Sequence, residues 1–169
     1  MDDRPLGVVV RDGDRVGLRF ERMFSHPPTK VWRALTESEH LRAWMPCDIV
    51  GERRAGAAVE LPFWPPVVTK YDLDTPVLTG RIVVWDPPHT FEWTWDVDVL
   101  RWELSPTPEG TALTFTTWLG HGEDGLTNTA AGYHVCLDEL AVLLDTGAAR
   151  GVHEVDPTQL ERRYEQAMG

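Results

Sequence analysis

The sequence predicts an α+β protein in which a curved antiparallel sheet of about seven strands grips one long C-terminal helix. Three observations lead there. Apolar residues recur at Ala130, Tyr133, Leu137, Leu140, Ala141 and Leu144, the three-and-four spacing of an amphipathic helix with one broad stripe. This is the chain's one long helical signal, and from about Leu126 to Asp145 it would span roughly 30 Å. The segments before it alternate with a period of two and are separated by short connectors rich in Pro, Gly and Asp, the pattern of an antiparallel meander.

In chain order, Leu6–Val10 and Val16–Phe24 read as two strands joined through Asp12-Gly13-Asp14. Val16, Leu18 and Phe20 share a face, and parity carries Arg22 to it, so either a charge points at the core or the strand bulges. Pro27-Pro28 sets a helix start, because proline suits the first turn, and that helix runs to about Leu35. Thr36-Glu37-Ser38-Glu39 has the form of a capping box and opens a second short helix ending near Trp44. Two short strands follow, about Asp48–Gly51 and Ala57–Leu61. Pro62-Phe63-Trp64-Pro65-Pro66 cannot lie in a central strand; it reads as a loop carrying large apolar groups, either a pocket lid or a cover over the core.

Val77–Trp85, Thr90–Trp95, Leu100–Leu104 and Thr111–Leu119 are the clearest strands. Alternation places Phe91, Trp93 and Trp95 on one face with Leu100, Trp102, Leu104, Leu113, Phe115 and Thr117. Glu92, Thr94, Arg101 and Glu103 fall on the other. Gly147 reads as the stop of the long helix. Asp156-Pro157 starts a last one to Met168, whose narrow stripe of Leu160, Tyr164 and Ala167 suits packing on the outside or on another subunit. The reading is therefore one domain over 1–147, with an extra N-terminal strand, and an appendage over 148–169.

The totals exclude several function classes. A formal charge of −11 over 169 residues opposes binding to nucleic acid or to anionic membranes. Two cysteines, Cys47 and Cys136, have no neighbour at metal-ligand spacing and read as buried thiols. No apolar run resembles a secretory signal or a membrane span, so a cytoplasmic protein is expected. Eight tryptophans in a chain that is 42% apolar imply either an indole-built core or a cavity lined by indoles.

Several phrases together resemble one family. Pro28-Thr29-Lys30-Val31-Trp32-Arg33-Ala34-Leu35-Thr36 and Glu39-His40-Leu41-Arg42-Ala43-Trp44-Met45 are similar to the opening of the START-like, or SRPBCC, superfamily, in the branch related to the activator of the ninety-kilodalton heat-shock-protein ATPase. Gly80-Arg81-Ile82, Asp86-Pro87-Pro88, Trp93-Thr94-Trp95, Trp102-Glu103-Leu104, Gly110-Thr111-Ala112-Leu113 and Ala131-Gly132-Tyr133-His134 continue the match in order, over about 18–144. The resemblance implies a helix-grip fold with two small helices between the first two strands of the family sheet. It also implies a cavity between sheet and helix that takes lipids, sterols, hormones or polyketides, with some members acting as aromatases or cyclases.

The residues themselves carry no strong catalytic signature. The six histidines contain no zinc-type pair, and neither a phosphate loop nor a nucleophile elbow is present. No catalytic residue, metal ligand or cofactor is therefore assigned. His134 is the one ionisable group of interest: Asp138, one turn on, could orient its ring while the other nitrogen faces the cavity. The alternative is a helix-flank histidine bonded to a carbonyl or water.

The expected function is binding of a small hydrophobic or aromatic molecule. Trp93, Trp95, Trp102, Phe115, Thr117 and Tyr133 would line the cavity, joined by Trp44, Phe63, Trp64, Ile82 and Leu137, with Arg22 and His134 as polar handles. A cyclase-like enzyme using the same cavity and a co-chaperone-like interaction module are the alternatives, and a homodimer is the expected assembly if the last helix meets another subunit. Gly132, unfavourable inside a helix by about 1 kcal/mol, reads as part of the cavity wall.

Overall fold

The computed structural model describes residues 4–168. Seven strands form one antiparallel sheet in the order β1-β2-β7-β6-β5-β4-β3: β1 Val8–Asp12, β2 Arg15–Phe24, β3 Ala58–Pro62, β4 Val77–Asp86, β5 Thr90–Trp95, β6 Asp98–Thr107 and β7 Gly110–Trp118. Two short helices, α1 Pro28–Thr36 and α2 Ser38–Trp44, stand between β2 and β3. The long helix α4, Leu126–Thr146, packs across the sheet's inner face and stops at Gly147, whose φ of 85° only glycine adopts cheaply. This is the helix-grip architecture.

Alternation along the strands sets the core. Phe20, Phe115, Trp102 and Phe91 stand opposite one another across β2, β7, β6 and β5, and Leu18, Thr117, Leu100 and Trp93 form the next row. All eight are at most 1% exposed. At about 25 cal/mol per Å² of buried apolar surface, rows of this size supply most of the drive for α4 to close on the sheet. The solvated face carries Arg101, paired with Glu92 at 3.1 Å and Glu103 at 3.4 Å.

Four local expectations change. Arg22 lies in unbroken register with Leu113 and is 5% exposed, so no bulge turns it outward. Thr36 forms no capping box; its hydroxyl donates back to the Trp32 carbonyl at 2.8 Å, and Glu37 occupies the cap. Asp48–Gly51 is reduced to two bridges, Cys47 with Phe63 and Val50 with Glu60. The segment read as a loop after Pro62 turns at once into a helix, α3 Pro65–Tyr71, with both prolines in its first turn where no N–H is needed.

The chain after Gly147 stays on the body of the protein. Residues 148–157 recross toward α3 through a short 3-10 turn, Val152–Glu154, and α5, Thr158–Met168, then packs along α4. Asp156 opens α5 by accepting from the Thr158 N–H at 3.0 Å. Tyr164 is wholly buried. Its hydroxyl accepts from the Gly7 N–H at 2.8 Å and shares a hydrogen bond, also of 2.8 Å, with His134 Nδ1. This clasp joins both ends of the described chain to α4.

Candidate ligand-binding site

The middle of the sheet's inner face is solid. Trp102 stacks on Phe115 with centroids 3.8 Å apart, and Trp44 meets Trp102 edge-on at 5.3 Å. The Trp44 indole N–H donates to the Ala34 carbonyl at 2.8 Å. Trp93, Ile82 and Leu137 complete the packing, each at most 1% exposed.

Space opens at the end of the sheet where β5 turns into β6. A cavity of about 270 Å³ lies there. Its walls are Trp95 from β5, Thr129, Gly132, Tyr133, Val135 and Cys136 from α4, Val67 and Tyr71 from α3, Pro46 after α2, and Val152, Val155 and Pro157 from the returning tail. No charged side chain is among them. A β-carbon placed on Gly132 would meet nothing within 4 Å, so the missing side chain widens the cavity.

The tail acts as a strap across this opening, and polar contacts hold it. Lys70 of α3 donates to the His153 carbonyl at 2.6 Å and the Val155 carbonyl at 3.5 Å. Glu139 of α4, 2% exposed, accepts from the Arg150 N–H at 3.2 Å and from its guanidinium at 3.1 Å. The Glu139 carboxylate is thereby buried with a partner, as a buried charge must be.

One polar group at this end lacks a partner among the described residues. The Trp95 indole N–H is buried and makes no hydrogen bond among the described residues. Thr117 sits beside the Tyr133 phenol, and a side-chain hydrogen bond to its hydroxyl works against the rise of the phenol's pKa. Burial, with Asp98 and Cys136 adding to it, pushes that phenol far above its ordinary range, so Tyr133 stays a neutral donor. Burial likewise pushes the Cys136 thiol up to about 12 and the Cys47 thiol higher still.

Of the residues singled out from the sequence, the structure brings Trp95 and Tyr133 to the cavity wall and Thr117 just behind it. Trp44, Ile82, Trp93, Trp102, Phe115 and Leu137 lie in the packed centre. Phe63 is half-buried with its ring 5.8 Å from Trp95. Trp64 donates to the Met45 carbonyl at 2.9 Å and faces a separate hollow under Arg42.

The two polar handles point elsewhere. The Arg22 guanidinium donates to the Glu21 carbonyl at 2.8 Å and lies 5.8 Å from the Phe20 ring centre, on the side that α5 covers. His134 is fully buried, with Asp138 3.7 Å from its Nε2 and Tyr164 on its Nδ1; neither nitrogen meets the cavity wall.

The wall residues of α3 and the strap escaped sequence reasoning. Val67 and Val68 carry too short a pattern to mark a helix, and Val152, Val155 and Pro157 have no periodicity. The described side chains grouped as metal ligands are Glu37, Glu39 and His40, none of which lines the cavity.

Residues 25–145 match the family model of Activator of Hsp90 ATPase homolog 1-like protein. The chain belongs to this family. The match omits β1, β2 and everything after residue 145, so the strap and α5 lie outside it. No curated protein matches the sequence. Solved structures extend the likeness over nearly the whole chain. EF2215 from Enterococcus faecalis, a conserved protein of unknown function, is 22% identical with a TM-score of 0.76, covering 96% of this chain and 90% of its own. The protein encoded by BPP1335 of Bordetella parapertussis is 26% identical, TM-score 0.68, covering 92% and 87%. CalU16 from Micromonospora echinospora is 17% identical, TM-score 0.65, covering 98% and 94%. These likenesses carry the helix-grip fold of the START-like superfamily. No helix of the described residues is long and apolar enough to cross a membrane.

Proposed function

We propose that this protein binds a small hydrophobic or aromatic molecule in the cavity between α4, α3 and the end of β5. The observation that carries the reading is an apolar space of about 270 Å³ beside a core that is otherwise filled. Interiors are close-packed, so an apolar hollow of this size beside the unpaired Trp95 indole N–H is suited to hold a ligand. Val152, Val155 and Pro157 of the strap wall one side of the cavity, whose rim at Tyr71 and Gly132 stays exposed, so a ligand can enter past the strap. A cyclase-like activity gains nothing from His134, which the clasp with Tyr164 takes away from the cavity.

Native mass spectrometry of the purified protein tests the reading, because it reports a copurified mass and the oligomeric state together. The neutral fluorescent probe N-phenyl-1-naphthylamine gives a second test. Gly132→Trp would fill the cavity from a position that is otherwise open, and it should abolish probe uptake while the fold persists. Equal uptake by the two proteins would place the probe elsewhere and defeat the proposal.

A further inference from the structure

The geometry points to the outer edge of β1 as a docking surface for a second copy of this chain, with the two β1 strands pairing antiparallel about a two-fold axis at Val10. This edge is separate from the cavity, so the pairing neither needs a ligand nor adds a wall to its site.

The two edges of the sheet differ. β3 is covered: Val50 exchanges main-chain hydrogen bonds with Glu60 at 2.8 and 2.9 Å, and the Asp48 N–H donates to the Pro62 carbonyl at 2.9 Å. β1 has no such cover. Its hairpin with β2 closes through the two-residue turn Gly13-Asp14, so Asp12 and Arg15 form the closing bonded pair, and the main chains of Val10 and Val8 also face β2. On the other side of β2 the Val16 carbonyl accepts from the Leu119 N–H, which fixes the same alternation. The N–H and C=O groups of Val9 and Arg11 therefore point away from the sheet, and no main-chain partner meets them among the described residues. An unprotected edge strand is a template for another strand, and β1 carries neither proline, lysine nor bulge to blunt it.

The strand is complementary to itself, which selects a second copy as its partner. Pairing Val9 with Arg11 of the second copy, and Arg11 with its Val9, gives two bonded pairs that each exchange both main-chain bonds under a single two-fold operation. Val10 then meets its own counterpart on the solvated face. There Val10, Gly17, Trp118 and Val99 follow one another across the strands, so the pairing doubles an apolar row. In the next row Asp12, held by Arg15 at 2.7 Å, comes opposite Val8 of the second copy, beside the Arg19 that faces that valine across β2. Arg19 makes no ion pair among the described residues, so Asp12 supplies its missing partner. Two chains of net charge −11 repel one another at long range, yet the stretch from Val8 to Arg19 carries three arginines against two aspartates, and the repulsion is absent where the edges meet.

Sedimentation velocity of the full chain over a concentration series reads the association. A small edge-strand interface makes a transient dimer, so the wild type should pass from one chain to two in the micromolar range. Val10→Lys sets like charges directly opposite at the axis, on a side chain that faces solvent in the single chain, and should weaken association at least about tenfold with an unchanged circular dichroism spectrum. Val9→Pro removes an outward N–H that β2 does not use and should act in the same direction; if it does not fold, Val10→Lys decides. Cross-linking reads the register. Opposed non-bonded residues have Cα atoms about 4.5 Å apart, within reach of a disulfide, so Val10→Cys should give a covalent dimer as dissolved oxygen takes the two electrons. Val8→Cys, whose counterpart would lie roughly 13 Å along the strand, should not.

A wild type that remains a single chain up to about 1 mM overturns the inference and leaves the edge to solvent or to a strand of another protein. A dimer that persists undiminished in Val10→Lys overturns it as well. Cross-linking of Val8→Cys as fast as that of Val10→Cys removes the two-fold register at Val10, and the inference with it.

Discussion

The centre of the sheet and its β5–β6 end carry the same sequence pattern and reach opposite results. At the centre, Trp93, Trp102 and Phe115 meet Trp44 from α2 and Leu137 from α4, and the rings stack to contact. At the end, Trp95 continues the same alternation but faces Gly132, the short helix α3 and a strap. An inward indole is therefore not by itself a ligand contact. What differs is the partner: a whole helix face with large side chains fills space, whereas a glycine and an irregular segment leave it. Small differences in the covering layer decide between core and cavity, because interior packing tolerates few voids elsewhere.

Removing one ring from each region sharpens the contrast. Trp102→Ala should cost about 3 to 5 kcal/mol, the range for deleting a fully buried large aromatic, as read from denaturant melts. Trp95→Ala, at a half-buried position already beside open space, should cost about 1 to 2 kcal/mol, since less contact is lost. Equal losses at the two positions would erase the distinction between packed centre and open end.

The strap is the next point of attack. Arg150→Ala leaves the buried Glu139 carboxylate with only the backbone N–H, and should cost about 1 to 2 kcal/mol. It should also speed probe release in stopped-flow measurements, because the strap is loosened and the wall is untouched. Unchanged release would mean that residues 148–157 are not the way in.

The cysteines report on the two regions as well. Cys136 is on the cavity wall and 5% exposed, whereas Cys47 is fully buried. A small apolar maleimide should label Cys136 first, and a bound ligand should slow it. Both thiols are raised above their ordinary value of 9.0 in the folded protein. The unfolded chain therefore loses those protons first as pH rises, so the stability present below about pH 9 should decline from there toward pH 12. Tyr164, pushed up to about 12 by burial, adds to the same alkaline limb from about pH 10, and Tyr164→Phe should flatten that part of the curve.

The smallest effect is expected at Gly132. With nothing within 4 Å of a β-carbon there, Gly132→Ala should stabilise the protein by about 0.5 to 1 kcal/mol through helix propensity. Probe affinity should shift by no more than a few-fold. A loss of stability on thermal melting would show that the cavity wall is tighter than the open space implies.

Much of the fold was legible because it rests on local periodicity. The long helix, the β4–β7 meander and the inward row of Phe91, Trp93, Trp102 and Phe115 all follow from counting by two or by three and four. The helix start at Pro28 and the stop at Gly147 were equally plain, since proline and glycine restrict the backbone directly. α3 was hidden because seven residues behind two prolines carry too few periods to distinguish a helix from a loop. The Thr36 cap failed because a threonine hydroxyl bonds as readily to the carbonyl four residues back as to a later N–H.

The site was much less legible than the fold, and the reason is geometric. Sequence alone determined that Trp95, Thr117 and Tyr133 face inward, because side-chain direction follows from the pleat of a strand and the pitch of a helix. It equally gave a net charge of −11, which opposes association with polyanions. Only the tertiary structure decided that Trp93 and Trp102 are core while Trp95 borders a void, that His134 and Arg22 turn toward α5, and that Val152 and Val155 cover the cavity. A cavity is the volume that packing fails to fill, and it depends on which distant segments meet, a quantity that no local pattern carries.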